Sequence, residues 1–256
     1  MLTGEQRQSF VQDGFLVVRD AFGPGGAADL QRWTSELLAA PELPGHHAVY
    51  REINLLDPAI RMVARVENLC AFHPGLDAFC RGGPLLQMVS ELFGDPAVLF
   101  MDKINCKAPG GSNGWRPHQD QDNEWDRYAP LFITAAVALD PATRDNGCIQ
   151  LTRGQHLKSF TQGAPRLLAL AEMEAMRFEA VEMAPGDAVF FSSYTPHCSA
   201  PNLSDRPRKL LYLTYNRASD GDHRLPHYEE KRRLFPPDVE RAPEVPGLFH
   251  RPGRDR

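Results

Sequence analysis

The sequence predicts a mainly β domain with flanking helices: N-terminal helices that lead into a double-stranded β-helix of the jelly-roll, cupin-like kind. Two textures, one on each side of Gly94, predict this. Before residue 94, apolar side chains recur at helical spacing; after Gly94 they fall into short runs bounded by Gly, Pro, Asn and Asp. A third observation is that the best candidate ligands lie far apart in the chain. An antiparallel β-helix brings such positions together at its mouth.

Residues 3–12 open a helix, with Thr3 as N-cap and Gln6 three residues later as its reciprocal partner. Phe15, Val17 and Val18 form a short β-like run. Residues 26–40 place Leu30, Trp33, Leu37 and Leu38 on one helical face, ended by Pro41, Pro44 and Gly45. Residues 83–93 repeat the pattern. Pro84 sits in the first turn, Leu85, Leu86, Val89, Leu92 and Phe93 are apolar, and Gly94 ends the helix. The strand-length runs AVLFMDKINCK, LFITAAVAL, CIQLT, DAVFFSS and KLLYLTYN follow. Residues 165–180 interrupt them with a helix or a long insertion. The last forty residues, rich in proline and charge, read as an irregular C-terminal wrap, frayed at its end. The expectation is a single domain over 1–256: a helical part to about residue 94, a β-helix core over about 95–217, and a wrap over 218–256.

Composition narrows the classes. Hydrophobic residues are 42% of the chain and charged residues 24%, which is ordinary for a globular domain. The net charge of -5 and the lack of a basic stripe argue against a nucleic-acid partner. There is no apolar run long enough for a membrane span, and the first residues do not read as a secretory signal. Five scattered cysteines without a CxxC pair fit reduced thiols in a cytoplasmic protein, not a disulfide framework or a zinc–thiolate site. A small-molecule substrate is the expected partner, with the chain a monomer or homodimer.

The segment WRPHQD carries the chemistry. His118 and Asp120 are two residues apart, and on a strand such residues share a face. One imidazole and one carboxylate supply two thirds of the facial triad of non-haem iron oxygenases, which leaves positions open for a co-substrate and dioxygen. HxD alone is common in polar surface strands. His197 follows the buried-looking strand DAVFFSS and supplies the third ligand, unless it merely caps a turn beside Pro196. Arg208 stands at the start of the next strand. A buried carboxylate is held best by a planar, bidentate cation, and Ser199 can add a hydroxyl. Arg206 and Lys209 compete for that role, and each of the three has an exposed-charge alternative. In DNGCIQLTRGQH, Asn146-Gly147 marks a turn and Gly154 a bend, so His156 reads as a packing residue.

The ordered set PHQD, DNGCIQLTRGQHL, PGDAVFFSSYTPHCSAPNLSDRPRK and FPPD resembles the phytanoyl-CoA dioxygenase family, as do RVEN and DKINCKAPGG earlier in the chain. The resemblance implies Fe(2+), 2-oxoglutarate and O2 as cofactor and co-substrates. It implies hydroxylation of an unactivated C–H with release of succinate and CO2. His118, Asp120 and His197 would hold the iron, and Arg208 with Ser199 the far carboxylate of 2-oxoglutarate. Lys103, Asn105 and Arg65 would line the co-substrate or substrate side, with Gln119 between the ligands. The carboxylate of Asp120 favours hydroxylation over chlorination; desaturation and cyclisation stay open. Ala136 departs from relatives that carry tryptophan there.

Around the mouth, Lys103, Asn105, Asp122, Asn123, Trp125, Tyr128, Tyr194 and Arg217 suggest a small polar substrate. DKIN with PGG and HQD is similar to the branch acting on small aminophosphonates and quaternary amines. Trp125 and Tyr128 would stack on a cationic head, or simply pack. A natural-product substrate is equally open. Residues 121–130 are a candidate lid. Two alternatives stand beside the oxygenase: a metal-dependent, cupin-like hydrolase or isomerase, and a non-catalytic binding or sensor protein.

Overall fold

The computed structural model describes residues 1–161 and 165–241. Its elements run α1 (Gly4–Asp13), β1 (Phe15–Val18), α2 (Gly23–Ala39), β2 (Ala48–Ile53), β3 (Arg61–Glu67), α3 (Pro74–Cys80), α4 (Gly83–Phe93), β4 (Ala97–Lys107), β5 (Trp115–His118), β6 (Ile133–Ala138), β7 (Ile149–Leu151), α5 (Leu170–Glu174), β8 (Glu179–Ala180), β9 (Ala188–Ser192), β10 (His197–Ser199), β11 (Arg208–Arg217) and α6 (Arg224–Leu234).

α1 begins as its sequence requires. The Thr3 hydroxyl accepts from the Gln6 amide at 3.1 Å, and the Gln6 carboxamide accepts from the Thr3 amide at 2.8 Å. Gly14 ends the helix at φ 80°, and an added Cβ there would sit 2.4 Å from His156 Nδ1. Glycine therefore lets the turn into β1 lie directly on His156, whose Nε2 lies 3.2 Å from the Val11 carbonyl oxygen. His156 is thus a packing residue.

The strands form two antiparallel sheets, one ordered β1-β9-β6-β11-β4-β3-β2 and the other β5-β10-β7-β8. Side chains alternate across the larger sheet. On β11, Leu210 and Tyr212 face a core between the sheets, shared with Ile149, Leu151 and Phe191. Leu211 and Leu213 face the other way, against Leu30 and Leu37 of α2 and Leu85 and Val89 of α4. The helices thus brace the outer face, and the inner face meets the four-stranded sheet.

Three expectations need correction. The stretch before residue 94 holds more than helices and the β-like run at Phe15–Val18, which is β1 and pairs with β9: β2 and β3 extend the opposite edge through β3–β4. Charged residues on β2 and β3 mask their alternation. The segment after residue 217 is not an irregular wrap, because it contains α6. That helix lacks an apolar stripe and is held by polar anchors instead: Arg224 pairs with the fully buried Asp102, and the Tyr228 hydroxyl donates to the Asp102 carbonyl at 2.8 Å. α3, with Pro74 in its first turn, was also unexpected. The expected frayed end lies outside the described residues.

Candidate active site

β5 ends at His118 and β10 begins at His197, and the two residues are paired across the ladder. Asp120 is not on the strand; it opens a 3-10 turn over Asp120–Asn123. Gln119 keeps an extended backbone (φ -112°, ψ 134°), so Asp120 still falls on the side of His118 although the ladder has ended. Asp120 Oδ1 lies 4.0 Å from His118 Nε2 and 3.8 Å from His197 Nε2. One ligand atom from each of the three residues lies within 4.8 Å of the others.

Backbone carbonyls orient both imidazoles. His118 Nδ1 is 2.7 Å from Arg116 O, and His197 Nδ1 is 3.0 Å from Thr195 O. A carbonyl only accepts, so each Nδ1 carries the proton and each Nε2 presents its lone pair toward Asp120. Burial and the neighbouring His197 push His118 down to about 4, which keeps it neutral. Burial opposes ionisation of Asp120, but His197, Lys103 and His118 outweigh it and hold the carboxyl below its usual range. Two imidazoles and one carboxylate with open space before them suit iron(II).

Deeper in, Arg208 is 1% exposed, whereas Arg206 is exposed and Lys209 pairs with Asp140 at 3.1 Å. Of the three competing cations only Arg208 is buried. Its Nη2 donates to Gly147 O at 2.8 Å, and its Nε and Nη1 have no partner among the described residues. Burying idle donors is unfavourable unless an anion completes them, so this guanidinium suits the far carboxylate of 2-oxoglutarate. Ser199, on β10, lines the cavity.

A cavity of about 630 Å³ opens in front of the triad. Arg65, Lys103, Asn105, Asp122, Asn123 and Trp125 line it as the sequence suggested. Arg65 Nε donates to Asn105 Oδ1 at 3.1 Å, and its guanidinium lies 5.0 Å from the Trp115 ring centre. Trp125 also packs on Phe100 and Phe132, with ring centres at 5.4 and 5.2 Å. Gln119 borders the cavity, but its carboxamide is taken up elsewhere. Nε2 donates to Ser159 Oγ and Tyr194 O, and Oε1 accepts from Leu168 N at 2.7 Å. Tyr194, Tyr128 and Arg217 do not line the cavity. Tyr194 stacks edge-on with Phe160, the Tyr128 hydroxyl donates to Glu230, and Arg217 lies over Phe93.

The sequence reading missed Tyr212, His227 and Lys231 on the cavity wall, and Lys107 and Glu67 behind it. Lys103, Asn105 and Lys107 repeat at a period of two on β4, which was a usable signal. His227 and Lys231, four apart on α6, gave none because the helix itself was hidden.

The family model for phytanoyl-CoA dioxygenase (PhyH) matches residues 10–210. The chain is 37% identical over 240 residues to a 2-aminoethylphosphonate dioxygenase of uncultured bacterium HF130_AEPn_1, covering 93% of this chain and 91% of that one. It is 34% identical over 238 residues to a methylphosphonate hydroxylase of Gimesia maris, covering 91% and 88%. Among solved structures it is similar to EctD from S. alaskensis, solved with 2-oxoglutarate and 5-hydroxyectoine. That similarity has a TM-score of 0.70 at 23% identity, over 86% of this chain and 77% of that one, and speaks to the jelly-roll fold. The chain therefore belongs to the phytanoyl-CoA dioxygenase family. It is an enzyme, a non-haem iron, 2-oxoglutarate-dependent dioxygenase of the hydroxylase type, and the hydrolase and sensor alternatives give way to this reading. No helix among the described residues is long and apolar enough to cross a membrane.

Proposed function

We propose that this enzyme hydroxylates a C–H bond of a small organophosphonate, with His118, Asp120 and His197 as iron ligands and Arg208 with Ser199 as the clamp for 2-oxoglutarate. The observation that carries the substrate class is a cationic wall beside the triad. Arg65, Lys103 and Lys231 line the cavity around one buried carboxylate, Glu67. Arg65 Nη1 is 3.1 Å from Glu67 Oε1, and Lys231 Nζ is 2.6 Å from Glu67 Oε2. Across the whole lining six cationic side chains (Arg65, Lys103, Arg116, Arg127, Lys231 and Arg241) meet three carboxylates (Asp120, Asp122 and Glu230), an excess of positive charge that suits a compact anion. The printed activities of the two phosphonate-acting relatives support the same class.

Iron, with 2-oxoglutarate and dioxygen bound, supplies the oxidant that turns C–H into C–OH as 2-oxoglutarate becomes succinate and CO2. The remaining work belongs to this chain. The carbonyls of Arg116 and Thr195 keep the ligand imidazoles in one tautomer. Burial and Arg65 push Lys103 down to about 7, so an arriving dianion would restore its ammonium charge and gain a charge-assisted hydrogen bond. His227 lines the cavity with Nε2 lacking a partner among the described residues, and burial pushes it down to about 3. As a neutral ring it can hydrogen-bond a phosphonate oxygen. A quaternary-amine substrate fits less well, because Trp125 packs into an aromatic cluster and Tyr128 bonds Glu230.

The five free thiols fit a reducing, cytoplasmic setting, for a monomer or homodimer. The test is succinate release from 2-oxoglutarate under air with added Fe(II), against 2-aminoethylphosphonate, methylphosphonate, and sulfonate and carboxylate isosteres. Stimulation by phosphonates alone is expected. Equal stimulation by monoanionic carboxylates would refute the substrate class. Lys103→Met is expected to raise KM for the phosphonate by about tenfold or more.

A further inference from the structure

Lys107 is 2% exposed and no part of the mechanism so far uses it. It stands opposite Arg208 in the β4–β11 ladder. Its Nζ donates to Ser199 Oγ at 2.8 Å and, more closely, to Ala200 O. Gly147, at φ 78°, makes room for it: an added Cβ would lie 2.8 Å from Nζ. The same glycine's carbonyl accepts from Arg208. Two cationic side chains therefore meet at Gly147, with Lys107 also holding Ser199, and among the described residues neither has a carboxylate in ion-pair contact. Glu52, the carboxylate whose charge acts on Lys107, is hydrogen-bonded to Asn113. Buried charge of one sign calls for an anion.

We infer that Lys107 is the second cation of the 2-oxoglutarate pocket, aiming the Ser199 hydroxyl at the far carboxylate and adding charge to that of Arg208. The inference rests on the 2-oxoglutarate clamp proposed above. A hydroxyl oxygen that accepts from Lys107 keeps its own proton to donate. Lys107 thus acts on the co-substrate through Ser199 and through its charge, as a positioning residue. Burial and the neighbouring Arg208 push Lys107 down to about 6, as expected of an ammonium awaiting its counter-ion.

The test uses anaerobic Fe(II) enzyme and the visible absorption band of the metal–keto acid chelate. 2-Oxoglutarate is compared with 2-oxobutyrate, a keto acid without the far carboxylate. Lys107→Met is expected to weaken 2-oxoglutarate by about 10- to 100-fold and to leave 2-oxobutyrate within about twofold. Lys107→Gln, which keeps a donor for Ser199 and removes only the charge, guards against a folding defect and is expected to show the same selectivity in smaller measure. Equal losses for both acids, or no loss for 2-oxoglutarate, would overturn the assignment and leave Lys107 a structural tie. Absence of the band in the unaltered protein with either acid is a different failure, and would overturn the 2-oxoglutarate reading itself.

Discussion

His118 and His197 face one another across the β5–β10 ladder, and each has Nδ1 against the carbonyl oxygen two residues before it, Arg116 and Thr195. The metal-facing tautomer of both rings is thus set by local backbone, whatever else lines the cavity. His118→Ala is expected to abolish Fe(II) binding and turnover. It should leave the unfolding free energy of the metal-free protein within about 1–2 kcal/mol, because this imidazole is the least buried of the three ligands. Calorimetric Fe(II) titration and denaturant unfolding check the two halves.

Gln119 ties the ligand segment to the loop beyond β7. Its three hydrogen bonds reach Ser159, Tyr194 and Leu168, and the cavity is lined on that side by Leu168, Leu170 and Met173. Gln119→Leu is expected to destabilise the fold by about 2–4 kcal/mol, since it strands buried polar partners. Hydrogen exchange should rise first over residues 166–174. Uniform exchange with no local change there would contradict the tie.

The Arg224–Asp102 pair anchors α6 from within the core. Among the described residues, Arg224→Met leaves the buried carboxylate with the Cys70 amide and Tyr228 hydroxyl alone as partners, and should cost about 3 kcal/mol or more. Because α6 carries His227 and Lys231, KM for substrate should rise while Fe(II) affinity holds. A parallel loss of Fe(II) affinity would show that α6 supports the metal site as well.

Glu67 sets an acid limit. Burial opposes its ionisation, but Lys231 and Arg65 prevail and draw it down to about 2 from the ordinary 4.5. The folded carboxyl is the stronger acid, so its contribution is complete above about pH 4.5 and is lost as pH falls toward 2. Stability measured against pH should fall across that window, and less steeply in Glu67→Gln. Identical slopes in the two proteins would deny the pair this role.

The larger features were legible in the sequence because they rest on local chemistry. The Thr3–Gln6 capping box, the glycine ending α4, and the apolar runs that became β4, β6, β9 and β11 all carry their signal within a few residues. The triad was legible from type and order, and Arg208 from the family resemblance; among Arg206, Arg208 and Lys209 the structure buries Arg208 alone. What escaped notice depends on partners far away in the chain. α6 has no apolar stripe, and what holds it in that position is Asp102, 122 residues earlier in the chain. Gln119 looked like a substrate contact because it sits between two ligands. Its amide turned out to serve Leu168, a contact no local pattern announces.

The cavity is assembled from two separately anchored halves. The iron ligands and the Arg208 pocket belong to the sheets, through β5, β10 and β11, whereas His227 and Lys231 ride on a helix held by polar ties: Arg224 to Asp102, the Tyr228 hydroxyl, Lys231 to Glu67, and Glu230 to Arg127 and Tyr128. Selection can therefore rewrite α6 and the residues it presents while the oxidising centre stays unchanged. In such an enzyme, new substrates would arise by drift in the C-terminal helix, with the metal and its co-substrate inherited intact.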